Sequence, residues 1–257
     1  MKSFAAALLA LSCACAWAQK TQVVDLPTRS GVTERFVAIA PDAPKAAVIL
    51  LAGGPGRVKI LGNGTIRNEG NFLVRTRAMF VQQGFAAVVL DAPSDRPGGM
   101  PVGFRGTPEH VADLAAAIAW AREQWHKPVW LVGTSRGTQS AAHAAVALAN
   151  DPHEPDGIVL TSTILARSPR DPGVPVTEEP LDTLKIPVLV VHHEEDPCPI
   201  CNPALLNQLK LPASNSKVIM EKGGASTGEA CQSFSHHGYN GIEGAVVADI
   251  SAFITAH

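Results

Sequence analysis

Ser135 stands in the string Gly133-Thr134-Ser135-Arg136-Gly137, between the apolar run Val129-Trp130-Leu131-Val132 and an Ala-rich stretch from Thr138 to Ala149. The run reads as a short buried strand and the stretch as a helix. Where a strand turns at once into a helix the turn is sharp. Small residues must then flank its apex, and the side chain there is left exposed at the sheet edge. The N-terminus of the following helix also favours negative charge developing beside that side chain. The chemistry on offer is nucleophilic attack by the Ser135 hydroxyl. The bland alternative is an ordinary glycine turn between two elements.

A serine hydroxyl is a poor nucleophile at neutral pH, so Ser135 needs a base, and the base needs an acid to orient it. Both stand downstream. Ile186-Pro187-Val188-Leu189-Val190-Val191 reads as a buried parallel strand and runs into His192-His193-Glu194-Glu195-Asp196-Pro197. A later strand, 216–221, precedes a polar loop holding His236-His237-Gly238-Tyr239, and an amphipathic segment from Gly244 to His257 follows. Serine, acid and histidine thus occur in that order, with three carboxylates and two imidazoles to choose among. Asp91, after a strand at 85–90, is a further acid, either for a rearranged triad or as a polar cap of the strand end.

These three motifs, in this order, resemble the α/β-hydrolase family, and the resemblance spans nearly all of the chain after its first 18 residues. In that family the acid follows a strand in a pattern like H-G-x-x-D-P. His192 to Pro197 fits it, with His193 where Gly is usual, so the resemblance selects Asp196 over Glu194 and Glu195. The family's histidine is often followed by Gly and an aromatic residue, which selects His237 over His236. Upstream, the strand Ala47-Val48-Ile49-Leu50-Leu51 enters Ala52-Gly53-Gly54-Pro55-Gly56, similar to the family's H-G-G oxyanion loop with Ala52 in place of His. By that match the oxyanion donors are the backbone N–H groups of Gly54 and Arg136, since Pro55 has none. The resemblance implies a Ser135–Asp196–His237 triad that hydrolyses small-molecule carboxylic esters through an acyl-enzyme, with no metal and no cofactor.

The first residues read as a leader. Lys2 is followed by an apolar stretch from Phe4 to Trp17, ending in Ala16-Trp17-Ala18 before Gln19. A positive start, an apolar stretch too short to span a bilayer comfortably and an A-x-A site predict a signal peptide over 1–18 and an exported, periplasmic or secreted, protein. Lipoprotein processing at Cys13 or Cys15 ranks second, because Leu11-Ser12 and Cys13-Ala14 make a poor lipobox. No other run is long or apolar enough to cross a membrane. Removing 18 of the 257 residues leaves 239, ample for a single α/β domain at 19–257. Taking away Lys2 leaves 20 cationic against 23 anionic side chains. Nothing in that balance points to nucleic acid or an anionic membrane surface.

After cleavage Cys198, Cys201 and Cys231 remain, an odd number for an oxidising compartment. Three readings compete. Cys198-Pro199-Ile200-Cys201 has redox C-x-x-C spacing but no thioredoxin-like pattern around it. Zinc on these cysteines with His192, His193, His236 and His237 would consume the residues the triad needs. In the fold that the resemblance implies, the acid and histidine loops converge on Ser135, so a Cys198–Cys231 disulfide requires the least and leaves Cys201 free or weakly paired.

Strands are predicted near 21–27, 33–40, 46–52, 85–91, 128–133, 157–161, 186–192 and 216–221. Helices are predicted near 71–83, 108–125, 137–149, 203–210 and 244–256. This alternation implies a mostly parallel sheet of about eight strands with helices on both faces. Between Ser162 and Lys185, where the family often inserts a helical cap, Pro169, Pro172, Pro175 and Pro180 exclude long helices, so no large cap is expected. The loops 55–71 and 92–107 are expected to wall the substrate site. His110, His126, His143 and His153 read as packing or surface residues, and His192 and His193 as a brace or packing for the acid loop. Two other functions compete. Gly53-Gly54-Pro55-Gly56 is similar to the oxyanion loop of proline iminopeptidases, although the chain lacks the length for their cap. The other is a binding protein that keeps the fold without catalysis.

Overall fold

Runs such as Ala47–Leu51 and Ala86–Leu90 are buried along their whole length, so the sheet they build must be covered on both faces. The computed structural model describes residues 20–168 and 173–257. The expected leader over 1–18, with Cys13, Cys15 and the cleavage point after Ala18, lies outside the described residues, as do Pro169 and Pro172.

The strands are β1 (Lys20–Arg29), β2 (Val32–Ala40), β3 (Ala47–Leu51), β4 (Ala86–Leu90), β5 (Val129–Thr134), β6 (Gly157–Thr161), β7 (Val188–His193) and β8 (Ser216–Glu221). They form one sheet in the order β1-β2-β4-β3-β5-β6-β7-β8. β1 pairs antiparallel with β2, and β2 antiparallel with β4; every other pairing is parallel. The helices are α1 (Phe72–Arg75), α2 (Arg77–Gln82), α3 (Pro108–Trp125), α4 (Arg136–Ala147) and α5 (Glu243–Ala256).

Alternation along each strand divides the core into two layers. Ile49, Leu51, Val88 and Leu131 pack with Leu114, Ile118 and Ala141 of α3 and α4. Val48, Leu50, Val89 and Val132 pack on the other face with Phe72, Phe80, Val246 and Ile250 of α1, α2 and α5. Each such fully buried aliphatic side chain stabilises the fold by about 1.5–3 kcal/mol relative to exposure. The sheet is therefore mostly parallel with helices on both faces, as expected.

Two expected helices differ. The segment expected at 71–83 is α1 and α2, separated at Thr76, whose hydroxyl donates to the carbonyl of Phe72 at 2.8 Å. A threonine that bonds back onto the preceding turn bends or interrupts a helix. The segment expected at 203–210 is a tighter 3₁₀ turn, Pro203–Gln208, with no buried side chain to favour an α-helix. Between Ser162 and Lys185 the described residues form short 3₁₀ turns at Val176–Glu178 and Leu181–Thr183.

Candidate active site

Ser135 joins β5 to α4 with φ 52° and ψ −124°, a conformation that non-glycine residues rarely adopt. The flanking glycines are there for space. A Cβ on Gly133 would lie 2.3 Å from the carbonyl oxygen of Gly137, and one on Gly137 would lie 2.0 Å from that of Leu51. The Ser135 N–H donates to the Thr161 carbonyl at 3.0 Å, and the Ser135 carbonyl accepts from the N–H and hydroxyl of Thr138 at 2.9 and 2.6 Å. The turn is thus held from both sides while the Ser135 hydroxyl caps no helix N–H.

The acid loop leaves the end of β7. Glu194 and Glu195 are exposed, whereas Asp196 is buried. Asp196 Oδ2 lies 2.9 Å and Oδ1 3.2 Å from His237 Nδ1, and Oδ1 also accepts the N–H of Cys198 at 2.9 Å. A carboxylate only accepts, so Nδ1 carries the imidazole proton and Nε2 presents a lone pair. Nε2 is buried and has no hydrogen-bond partner among the described residues.

The histidine loop is anchored behind His237. The Ser235 hydroxyl accepts the His237 N–H at 3.2 Å, and the Ser162 hydroxyl donates to the His237 carbonyl at 2.6 Å. The Tyr239 hydroxyl donates to the Val191 carbonyl at 2.7 Å and accepts the Ser162 N–H at 2.9 Å. Arg75 donates to the Gly238 carbonyl at 2.5 Å and pairs with Glu243. A disulfide joins Cys198 to Cys231, with S–S 2.07 Å, and so ties the acid loop to this one; Cys201 is buried and lies outside that bridge.

Ser135 and His237 line one cavity of about 540 Å³, together with Gly53, Gly54, Asn71, Phe72 and Phe234. Its walls are the segments 52–58, 68–72 and 231–238. The loop 92–107, expected to form a wall, instead borders a neighbouring depression through residues 92–97. Gly53 allows the loop after β3 to reach the serine, since a Cβ there would lie 2.9 Å from that of Ser135. Gly54 has φ 57°, and a Cβ there would meet open space. Beneath this loop sits Arg105, 5% exposed, which the sequence pattern did not single out. Its guanidinium donates to the carbonyls of Ala52 at 2.9 Å and Gly54 at 3.2 Å and to the Ser140 hydroxyl at 2.7 Å. Ser140 is in turn 2.8 Å from His110 Nε2. Burial, and then the Arg105 charge, lower the His110 pKa to about 3, so this imidazole is neutral.

His143 and His153 have acidic partners. His143 bonds Glu179 at 3.0 Å, and His153 bonds Asp151 at 2.9 Å, a near acidic neighbour that the sequence reading had not given it. His192 is fully buried, and burial lowers its pKa against the opposing pull of Asp196; its Nδ1 lies 4.0 Å from Asp196, outside hydrogen-bond reach. Asp91 takes no part in a triad: its carboxylate accepts backbone N–H groups of the 58–60 segment.

Among the described residues, two groups each bring three metal-ligating side chains together. Cys198, Cys201 and His237 lie within 4.8 Å of one another, but the Cys198 sulfur is spent in the disulfide. In the second group, His193, Glu195 and His236, the rings of His193 and His236 are stacked at 4.2 Å and 13°. His193 Nδ1 already accepts the Glu195 N–H, and its Nε2 donates to the Gly223 carbonyl. In-plane lone pairs of stacked rings run parallel rather than converging, so neither group has the geometry of a metal centre as it stands.

No protein-family model matches the sequence, and no curated protein matches it. Solved structures do. A dienelactone hydrolase from Anabaena variabilis aligns with TM-score 0.63 and 16% identity, over 93% of this chain and 98% of that one. An esterase from Pyrococcus furiosus gives 0.62 and 13%, over 92% of each chain. A cold-adapted esterase from an Arctic intertidal metagenomic library gives 0.56 and 15%, over 91% and 93%. The chain has the α/β-hydrolase fold.

Proposed function

We propose that the protein is a serine hydrolase of carboxylic esters, with Ser135 as nucleophile, His237 as base and then acid, and Asp196 as the group that orients the imidazole. The observation that carries this reading is the Asp196–His237 pair at 2.9 Å, opening onto the same cavity as a strained Ser135. In the first half-reaction the Ser135 oxygen adds to the ester carbonyl carbon and its proton passes to His237 Nε2. The N–H groups of Gly54 and Arg136 hold the tetrahedral oxyanion. On collapse the carbonyl reforms, the C–O bond to the alcohol breaks, and His237 protonates the departing oxygen. Water then enters by the same route and releases the acid and free Ser135.

Esters suit such a site better than amides, because an alkoxide leaves more readily than an amine. The absence of a long cap among the described residues favours small or exposed acyl groups. The esterases and the dienelactone hydrolase of the same fold act on chemistry of this kind, as their names state. A disulfide between the acid and histidine loops supports work outside the reducing cytosol, in line with the leader read over residues 1–18.

The test is a serine-directed fluorophosphonate with short-chain p-nitrophenyl esters, run beside aminoacyl amides. Labelling of Ser135 and ester turnover without added metal are expected. Labelling that survives Ser135→Ala would defeat the assignment. Preference for aminoacyl amides would give the peptidase reading, and no turnover of either would give the binding-protein reading.

A further inference from the structure

Beside the Ser135 cavity lies a second depression of about 400 Å³, between the segments 57–67 and 91–97. Four cationic side chains line it, Arg57, Lys59, Arg67 and Arg96, and Asp91 is its single acid. That is a local excess of three positive charges on a chain whose net charge is −2. Arg57 lines the Ser135 cavity as well, so the two depressions meet at this residue.

The lining is built rather than left over. Asp91 Oδ1 accepts the N–H groups of Val58, Lys59 and Ala92 at 2.8, 3.2 and 2.9 Å, and Oδ2 accepts that of Ile60 at 2.8 Å. Lys59 is thereby held at φ 58°, a region a lysine rarely adopts. Ile60 pairs across to Ile66, and the Arg67 N–H donates to the Lys59 carbonyl at 3.2 Å, which sets Arg67 opposite Lys59. Arg96 is partly neutralised by Asp95 at 3.0 Å and lies over the Phe104 ring. Arg57, Lys59 and Arg67 make no side-chain hydrogen bond or ion pair among the described residues. Like charges gathered in excess of the nearby carboxylates repel, and an anion on a ligand relieves that repulsion.

We propose that this depression is a subsite for an oxyanionic group, a carboxylate, phosphate or sulfate, carried by the acyl or alcohol part of the ester whose carbonyl reaches Ser135. The proposal rests on the serine-hydrolase reading for its reaction and on Arg57, Lys59 and Arg67 for its charge selectivity.

The experiment compares p-nitrophenyl butyrate with the mono-p-nitrophenyl ester of glutaric acid, at low and high salt. The anionic ester is expected to have the higher kcat/KM by about tenfold at low salt, through KM, because three exposed charge contacts together supply a factor of that order. Salt should erode the preference. In Lys59→Gln/Arg67→Gln the ratio of the two kcat/KM values should fall towards one, while Lys59→Arg/Arg67→Lys should retain it. Equal rates for both esters in the unaltered protein, or a preference that persists in the glutamine variant, would overturn the subsite. Calorimetry of glutarate and inorganic phosphate on Ser135→Ala separates the two readings. Salt-sensitive binding lost in the glutamine variant upholds the subsite even where no ester is turned over, and no binding together with no charge preference overturns it.

Discussion

A Cβ on Gly137 would lie 2.0 Å from the carbonyl oxygen of Leu51, so the first turn of α4 is pressed against the end of β3. The clash is with backbone, which cannot rotate away. The serine turn and the start of the oxyanion loop are consequently one packed unit. Gly137→Ala should lose about 1–3 kcal/mol, the usual penalty of overpacking, together with much of its turnover. Gly244, near the start of α5, has open space around its missing Cβ. Gly244→Ala should gain about 0.5–1 kcal/mol. Urea midpoints of the two variants check both signs.

Asp196 is buried against His237, while His236 is stacked on His193 and faces Glu195 at 3.6 Å. His237→Ala should therefore lower kcat by roughly 10⁴-fold or more, and Asp196→Asn by somewhat less. His236→Ala should keep most of its activity. An inactive His236→Ala beside an active His237→Ala would reverse the assignment.

The Cys198–Cys231 bridge spans 33 residues and sits two positions from Asp196. Replacing both cysteines by Ser should reduce stability by about 3–4 kcal/mol in the chain-entropy model. Turnover should fall with it, because the Cys198 N–H holds the Asp196 carboxylate. Thermal melts with and without reductant measure the first effect. Peptide mapping without reductant that found Cys201 joined to Cys231 would refute the connectivity.

Arg105 is not among the residues that line the Ser135 cavity, yet it fixes the carbonyls of Ala52 and Gly54, which do. As a positioning residue it should act on kcat and leave KM nearly unchanged. Arg105→Met should cost about 10²-fold, the order expected for an ångström of misplacement in the oxyanion loop. Affinity for a trifluoromethyl ketone should fall in step with kcat/KM, whereas a purely structural loss would leave the surviving folded fraction with full affinity. Arg105→Lys should recover part of both.

Glu221, at the end of β8, has its pKa raised from 4.5 to about 7, first by burial and then by hydrogen bonding with and repulsion from Asp249. Burial raises Glu34 in the same direction. A carboxyl whose folded value lies above its unfolded one binds its proton more tightly in the native state. Its contribution to stability is present below about 4.5 and is lost as pH rises through about 7. Glu221→Gln should flatten the fall in urea midpoint between pH ~5 and ~8 and leave the protein more stable than its parent at the upper end.

Much of this architecture is legible along the chain because strands β3 to β7 are continuous apolar runs with glycine or polar breaks. The span of α3, Pro108–Trp125, follows from its local signals: Thr107 as cap and Pro108 in the first turn. The resemblance selects Ser135, Asp196 and His237 because each stands in a sequence signature of its own. Arg105 has none. Its partners, Ala52 and Ser140, lie 53 and 35 residues away, and only the packed fold brings them together. Asp91 shows the same limit from the other side. A strand-end acid reads alike whether it orients a histidine or, as here, gathers the amides of a loop more than 30 residues upstream. Thr76 broke an expected helix through a hydrogen bond that composition does not reveal.

The chain contains a single tyrosine, and it is the one fully buried behind the histidine loop. Burial pushes the Tyr239 phenol far above its usual ionisation range, partly offset by its hydrogen bond with Ser162. In an alkaline absorbance titration the tyrosinate band therefore belongs to one known side chain. Its emergence marks the moment that side chain lets go of Val191 and Ser162, so the molecule carries an intrinsic optical gauge of whether its histidine loop is seated.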